Sequence, residues 1–168
     1  NKNKALTFFR RNEKETKEHN MIVDMERNDL SKICKTGSVK IDKLKKVEEY
    51  RDLFHYVTTI KGVIKNKMSN HDIISSLMPG GSVIGCPKIS TIQLLNRKEK
   101  FDRNIYTGSF GIIHSNGDMR FNIMIRTLLN FKNDIELSVA SGVILGSTAK
   151  KEYNENYIKA KSLLDLFN

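Results

Sequence analysis

From Asn12 to Cys34, the apolar residues Met21, Ile22, Met25 and Leu30 form a stripe with the period of an amphipathic helix. Asn12 is a capping residue type at its start. Glu13 and Glu15 follow in the first turn, where the helix dipole favours acids. Thr36-Gly37-Ser38 ends the element. Val39 to Arg51 is polar and takes no clear pattern, with Val47 and Tyr50 as anchors. Leu53 to Val63 nearly alternates β-branched and aromatic residues, which predicts a strand. Asn70 to Leu77 reads as a short helix and Met78-Pro79-Gly80-Gly81-Ser82 as a loop. Pro87 opens a second helix reaching about Arg97, with Ile89, Ile92, Leu94 and Leu95 as its apolar residues. Two strand-like runs, Ile105 to His114 and Met119 to Leu129, flank Ser115-Asn116-Gly117-Asp118, whose Asn-Gly pair is a hairpin signal. Asn133-Asp134 then turns into a third run, Ile135 to Leu145, so a three-stranded antiparallel meander is expected. A last helix spans about Thr148 to Phe167. Tyr153, Tyr157, Ala160, Leu164 and Phe167 are its expected buried stripe, with Glu152, Glu155, Lys159 and Ser162 on another face. Strands and helices in this mixture, without repeats or linkers, predict an α+β fold.

Composition narrows the function classes. A chain of 168 residues suffices for one domain, and 39% apolar residues can supply a core. Lys and Arg outnumber Asp and Glu by 29 to 19, which points to an anionic partner, either nucleic acid or an acidic metabolite. The basic residues are dispersed. The densest run, Lys40 to Lys46, is broken by Asp42, and no basic motif with interleaved aromatics is present, which argues against nucleic acid. Cys34 and Cys86 share no metal-ligand or CxxC spacing, as expected of a reducing, cytoplasmic setting. No apolar run approaches the roughly 20 residues of a membrane span, and no signal peptide pattern is visible. The chain opens on Asn1-Lys2-Asn3-Lys4 and runs straight into structured-looking sequence, which predicts a piece of a longer protein.

Four features carry chemistry. Glu15 and Glu18 are three apart on the first predicted helix, and Glu152 and Glu155 are three apart on the last. Each pair projects from one side of its helix, which is equally the pattern of a solvated face. If the two helices face each other, four carboxylates converge, and magnesium is the natural hard cation to neutralise them. The segment Pro79-Gly80-Gly81-Ser82-x-x-Gly85-x-Pro87-Lys88 leads from a loop into a helix with free first amides, suited to an anion or to a tight turn. Arg126 lies late in the second meander strand, on the face of Asn122 and Met124, where its guanidinium could hold a carboxylate. His55 is a possible proton-transfer group.

Taken in order, these segments resemble the chorismate-binding enzyme family over most of the chain. The resemblance rests on five stretches. They are Glu15-x-x-Glu18-His19-x-Met21-Ile22-Val23-Asp24-x-x-Arg27-Asn28-Asp29-Leu30, Leu53-x-His55 with Gly62, the Pro79 to Lys88 segment, Tyr106-x-Gly108-Ser109-x-Gly111 with Asn116-Gly117-Asp118-Met119 and Ile125-Arg126-Thr127, and Glu152-Tyr153-x-Glu155 with Lys159-Ala160. It implies that residues 1–168 form the C-terminal part of a larger α+β chorismate-binding domain of the anthranilate synthase type, whose N-terminal half lies outside this sequence. It implies magnesium held directly by Glu18 and Glu155, with Glu15 and Glu152 beside it, and anchoring the ring carboxylate of chorismate. Glu15 would also protonate the departing ring hydroxyl. Arg126 and Tyr106, with backbone amides near Gly142, would grip the pyruvyl carboxylate, assisted by Lys159. Ser82 would line the ring pocket, and His55 would stand by the ring as an acid/base group.

The resemblance further implies amino transfer, with ammonia delivered by a glutamine amidotransferase. Arg27-Asn28-Asp29-Leu30 resembles that branch. Within it, Pro79-Gly80-Gly81-Ser82 and Gly108-Ser109-x-Gly111 look closer to aminodeoxychorismate synthases than to anthranilate synthases, the nearest rivals. Two departures stand out. Gly146-Ser147-Thr148-Ala149 replaces the family's usual Asp-Ser-Asp-Pro, which leaves the last helix less well capped, and Arg120 replaces an acid. They leave room for a non-catalytic chorismate-binding protein. Residues 1–168 alone are expected to turn over little or no chorismate.

Overall fold

The computed structural model describes residues 2–50, 54–132 and 134–167, without the side chain of Ser162. The expected strand residue Leu53, the end of the unassigned stretch at Arg51 and the turn residue Asn133 lie outside the described residues. The chain divides into two compact units, Asn1–Ser82 and Val83–Asn168.

The first unit is a long helix on a β-hairpin. Helix α1 (Lys2–Arg11) leads into α2 (Glu13–Ile33). Asn12 caps α2 as expected, its side chain accepting a hydrogen bond from the Glu15 amide, and Cys34 closes the other end. The polar stretch that the sequence left unassigned is strand β1 (Lys40–Glu49), which pairs antiparallel with β2 (Phe54–Lys61). Six of its ten residues are Lys or Glu, so hydrophobic alternation fails there, and register shifts occur between Ile41 and Lys46. Its one buried residue, Val47, sits opposite Tyr56. Tyr56 stacks on Phe9 of α1 with ring centroids 4.8 Å apart, and His19 of α2 packs against the same ring. The end of α2 is tied into the sheet by Lys35 N–H donating to Val63 C=O (2.7 Å) and Lys65 N–H to Ile33 C=O (2.9 Å). That approach requires Gly62, because a Cβ there would stand 2.6 Å from the Cys34 sulfur. Helix α3 (Asn70–Leu77) matches its predicted bounds and opens on a reciprocal Ser69–Asp72 capping box.

The glycine-rich loop contains a single helical turn, α4 (Gly81–Ile84), where plain loop was expected. Paired Gly and Pro mark the loop but do not forbid one turn. In the second unit Pro87 precedes α5 (Lys88–Lys98). Strands β3 (Ser109–Ile113) and β4 (Met119–Ile123) form the predicted Asn-Gly hairpin. The three-stranded meander is not observed. The second run breaks at Met124–Thr127, where Arg126 adopts a left-handed φ of 49°, and β5 (Leu128–Phe131) pairs with β6 (Asp134–Leu137) as a separate hairpin. Regular strand ends at Leu137 rather than at Leu145. Helix α6 (Ala149–Leu164) continues into a 3-10 turn, Asp165–Phe167. The α+β class holds, with three two-stranded antiparallel sheets among the described residues. No described helix is long and apolar enough to cross a membrane.

Candidate functional site

Helix α6 orients the chemistry of the second unit, and it does so with its polar face inward. The aromatic stripe expected to be buried is exposed, Tyr153 at 75% and Tyr157 at 63%, and Leu164 and Phe167 are exposed with it. Ala160 is buried as expected, but it shares its face with Glu152, which is only 7% exposed. Period alone cannot tell which of two faces packs. Glu152, Asn156 and Ala160, each four residues apart, turn inward together with half-buried Glu155 and Lys159.

That face meets the segment before α6. Lys159 Nζ stands 2.7 Å from a Glu155 carboxylate oxygen and donates to the Ala140 carbonyl at 3.3 Å. Ser141 Oγ lies 3.1 Å from the Glu152 carbonyl and 2.7 Å from Asn156 Oδ1. The fold therefore brings together four predicted site residues, Gly142, Glu152, Glu155 and Lys159. Thr148 begins α6 without a side-chain capping bond, as its sequence suggested.

A second cluster surrounds Tyr106. Tyr106 and Thr127 line one narrow crevice with Met124 and Glu136, because the Thr107 N–H donates to Met124 C=O and the Met124 N–H to Gly108 C=O. Arg126 flanks this crevice from an exposed bend, so its reach comes from an irregular backbone and not from a strand face. The organiser is Arg103, which the sequence reading missed. Its guanidinium grips both Glu99 carboxylate oxygens at 2.6 and 2.8 Å and donates to Val83 C=O and Thr107 Oγ1. It also stands 5.8 Å from the centre of the Tyr106 ring. Burial raises the Tyr106 hydroxyl above its ordinary pKa, and the Arg103 charge opposes that rise. The Arg103 hydrogen bond lowers the Glu99 carboxyl below its usual range. Glu99 is the C-cap of α5 and Arg103 lies in the irregular segment beyond it, so no helical period marked the pair.

In the first unit, Glu15 and Glu18 lie half-buried on α2. His19 Nε2 shares a 2.7 Å hydrogen bond with Thr58 Oγ1, and its pKa is lowered by burial first and the Lys45 charge second. His55 lies on the opposite face of the hairpin from Tyr56 and Thr58, its ring against Tyr50, so it is not brought to the side that receives α2. Ser82 lies half-buried in the single turn α4. An open cavity of about 440 Å³ is lined by Asp24, Arg27, Asn28, Ser31 and Lys35 among others, and none of the predicted site residues borders it. Neither unit alone gathers three His, Cys, Asp or Glu side chains into a metal-holding group, among the described residues. The donor chemistry nevertheless fits a hard divalent cation. Glu152 offers carboxylate oxygens from a buried position, where a charge needs compensation, and Glu155 stands one turn further on the same face.

The model of the family described as chorismate binding enzyme matches residues 1–165. The chain is 38% identical over 153 residues to an anthranilate synthase component I-like protein of Synechocystis, covering 91% of this chain and 32% of that one. It is 38% identical over 149 residues to aminodeoxychorismate synthase component 1 of Bacillus subtilis, covering 89% and 32%. The crystal structure of anthranilate synthase component I from Streptococcus pneumoniae superimposes with a TM-score of 0.81 at 36% identity, over 95% of this chain and 37% of that one. The chain thus spans about a third of the length of these relatives.

Proposed function

The chain belongs to the chorismate binding enzyme family, and on that premise we propose that it works as part of a cytoplasmic, magnesium-dependent enzyme that converts chorismate to 4-amino-4-deoxychorismate, on the route to para-aminobenzoate and folate. A glutamine amidotransferase would supply the ammonia. The observation that supports this best is the inward carboxylate face of α6, with Glu155 and Lys159 2.7 Å apart beside the Ala140–Gly142 backbone. A fully solvated Glu-x-x-Glu face would not bury Glu152.

In this reading Glu18 and Glu155 would hold magnesium, with Glu15 and Glu152 beside it, and the bound ion would supply positive charge for the ring carboxylate. Chorismate is a dianion, and its pyruvyl carboxylate is held by Arg126, by the Tyr106 hydroxyl and by the amides near Gly142, with Lys159 adding charge. Glu15 donates a proton to the ring hydroxyl, which departs as water while ammonia bonds to the ring. Ser82 lines the ring pocket. His55 would stand by the ring as the acid/base group, as the resemblance implies.

A second reading, anthranilate synthase, is favoured by the equal 38% identity to relatives of both names. Incubating the full natural chain with chorismate, Mg2+ and ammonia separates the two, since anthranilate is fluorescent and forms directly. We expect magnesium-dependent loss of chorismate without anthranilate fluorescence. Glu155→Gln should raise the magnesium requirement about tenfold or more. Chorismate left untouched with and without the ion would overturn the proposal.

A further inference from the structure

Ser141 carries no role in the family resemblance, yet the segment before α6 is fastened there. We propose that Ser141 and Asn156 form a positioning clasp that sets the Ala140–Gly142 amides against the carboxylate face of α6. The inference rests on the chorismate reading and deepens it by naming what holds the anion-binding backbone in place.

A serine hydroxyl has one proton and two lone pairs. Ser141 Oγ faces two groups at hydrogen-bonding distance, the Glu152 carbonyl at 3.1 Å and the Asn156 amide at 2.7 Å. Both groups are acceptors, so the one hydroxyl proton is shared between them, with Asn156 Oδ1 the nearer and the Glu152 carbonyl the farther. The Glu152 carbonyl also belongs to the helix ladder, so its second lone pair accepts from Ser141. The clasp therefore grips the backbone of the residue whose carboxylate is buried. One residue earlier, the Ala140 carbonyl accepts from Lys159, which also pairs with Glu155. Consecutive residues of an irregular segment, Ala140 and Ser141, are thus tied to positions 152, 156 and 159 of α6 by three polar contacts. No regular strand or apolar packing fixes Ala140, Gly142 or Val143, which are exposed. Amides that bind a carboxylate must be held in place before the anion arrives.

The carboxylates themselves ride on α6 and keep their places without the clasp. Loosening it should weaken chorismate binding and leave the metal requirement alone. The test uses Ser141→Ala and Asn156→Ala in the full natural chain, alone and combined, with magnesium, chorismate and ammonia. Each single variant should raise the KM for chorismate about five- to tenfold, the equivalent of one lost hydrogen bond. The double variant should be no worse than either single one, kcat and the magnesium midpoint should stay within about twofold, and the thermal midpoint should barely move. An active wild type whose variants keep their KM within twofold overturns the clasp and leaves the chorismate reading standing. Parallel losses of kcat, magnesium response and melting temperature assign Ser141 a purely structural role and also overturn it. A wild type with no magnesium-dependent turnover removes the reading and the clasp together.

Discussion

Replacing Arg103 by Lys keeps the positive charge and removes the fork. The guanidinium makes four polar contacts: two to Glu99 at 2.6 and 2.8 Å, one to the Val83 carbonyl at 3.2 Å and one to Thr107 Oγ1 at 3.1 Å. A single ammonium on a flexible stem can retain the Glu99 attraction but cannot reach Val83 and Thr107 as well. Hydrogen bonds involving a charged group contribute about 1.5–3 kcal/mol each when well shielded. The Arg103 side chain is 24% exposed and that of Glu99 37%, so solvent screening reduces this, most of all for the carboxylate arm. Two lost bonds at roughly 1 kcal/mol each give a local cost of about 2 kcal/mol, or about 30-fold in an opening equilibrium. The segment held in place is the Tyr106 turn, whose Thr107 amide bonds Met124. Native-state hydrogen exchange in the full natural chain should show the Thr107 and Met124 amides exchanging about 30-fold faster in Arg103→Lys. The Lys35 and Lys65 amides of the first unit should not change. Acceleration below about threefold would refute the idea that fork geometry, and not charge alone, holds this turn.

Two further outcomes follow from the first unit. Gly62→Ala should destabilise it by about 1–3 kcal/mol through overpacking against the buried Cys34 sulfur, and Cys34→Ala should return most of that loss in urea titrations of the double variant. Equal costs in both backgrounds would show that the sulfur is not the obstacle. His19 has a folded-state pKa below its unfolded value, so the unfolded chain binds the extra proton first. Its contribution to stability is complete above about pH 6.5, and is lost as pH falls through the lower, folded value. Urea midpoints measured from pH 7.5 down to 5 should fall less in His19→Gln than in the wild type, and parallel slopes would contradict the assignment.

Where local chemistry and tertiary packing agreed, the sequence was readable. Asn12 capped α2 because an Asx side chain can reach the third amide whatever lies around it, and Asn116-Gly117 made its hairpin because the turn demands those residues. Disagreement arose where tertiary context decided. Strand β1 exists because β2 offers it a pairing partner and α1 packs against it, although Lys43, Lys45 and Lys46 hide any alternation. Arg126 was placed on a strand face by counting residues. Its left-handed backbone interrupts that strand, and no residue-type signal marks an Arg for such a conformation. Of the expected α2 stripe Met21, Ile22, Met25 and Leu30, Met25 is buried and Met21 exposed, while Asp29, paired with Lys32 at 2.8 Å, is almost fully buried. The acidic pairs were recognisable by spacing and motif order, whereas Ser141 and Asn156 were not, because a contact between an irregular segment and a helix leaves no periodic trace.

Helix α6 shows what such a mismatch signifies. Hydrophobic burial alone would turn Tyr153 and Tyr157 inward and leave the carboxylates in water. Full burial of a large apolar side chain is worth about 1.5–3 kcal/mol, and an uncompensated buried carboxylate costs several. The observed orientation does the reverse, with Glu152 inside and both tyrosines outside. A helix held against its own amphipathicity needs a compensating set of polar contacts. The Ser141 hydroxyl, the Asn156 amide and the Lys159 ammonium provide part of it, and each of them meets either the helix or the segment it orders. The inverted helix accords better with the proposed metal-holding role of its acids than with any stability they would add. Replacing Glu152 by Leu puts that to a direct test. On the chemical account, magnesium-dependent turnover by the full chain collapses while the melting temperature holds or rises. A variant that unfolds and keeps its specific activity in the folded fraction would show that the carboxylate is there for the fold.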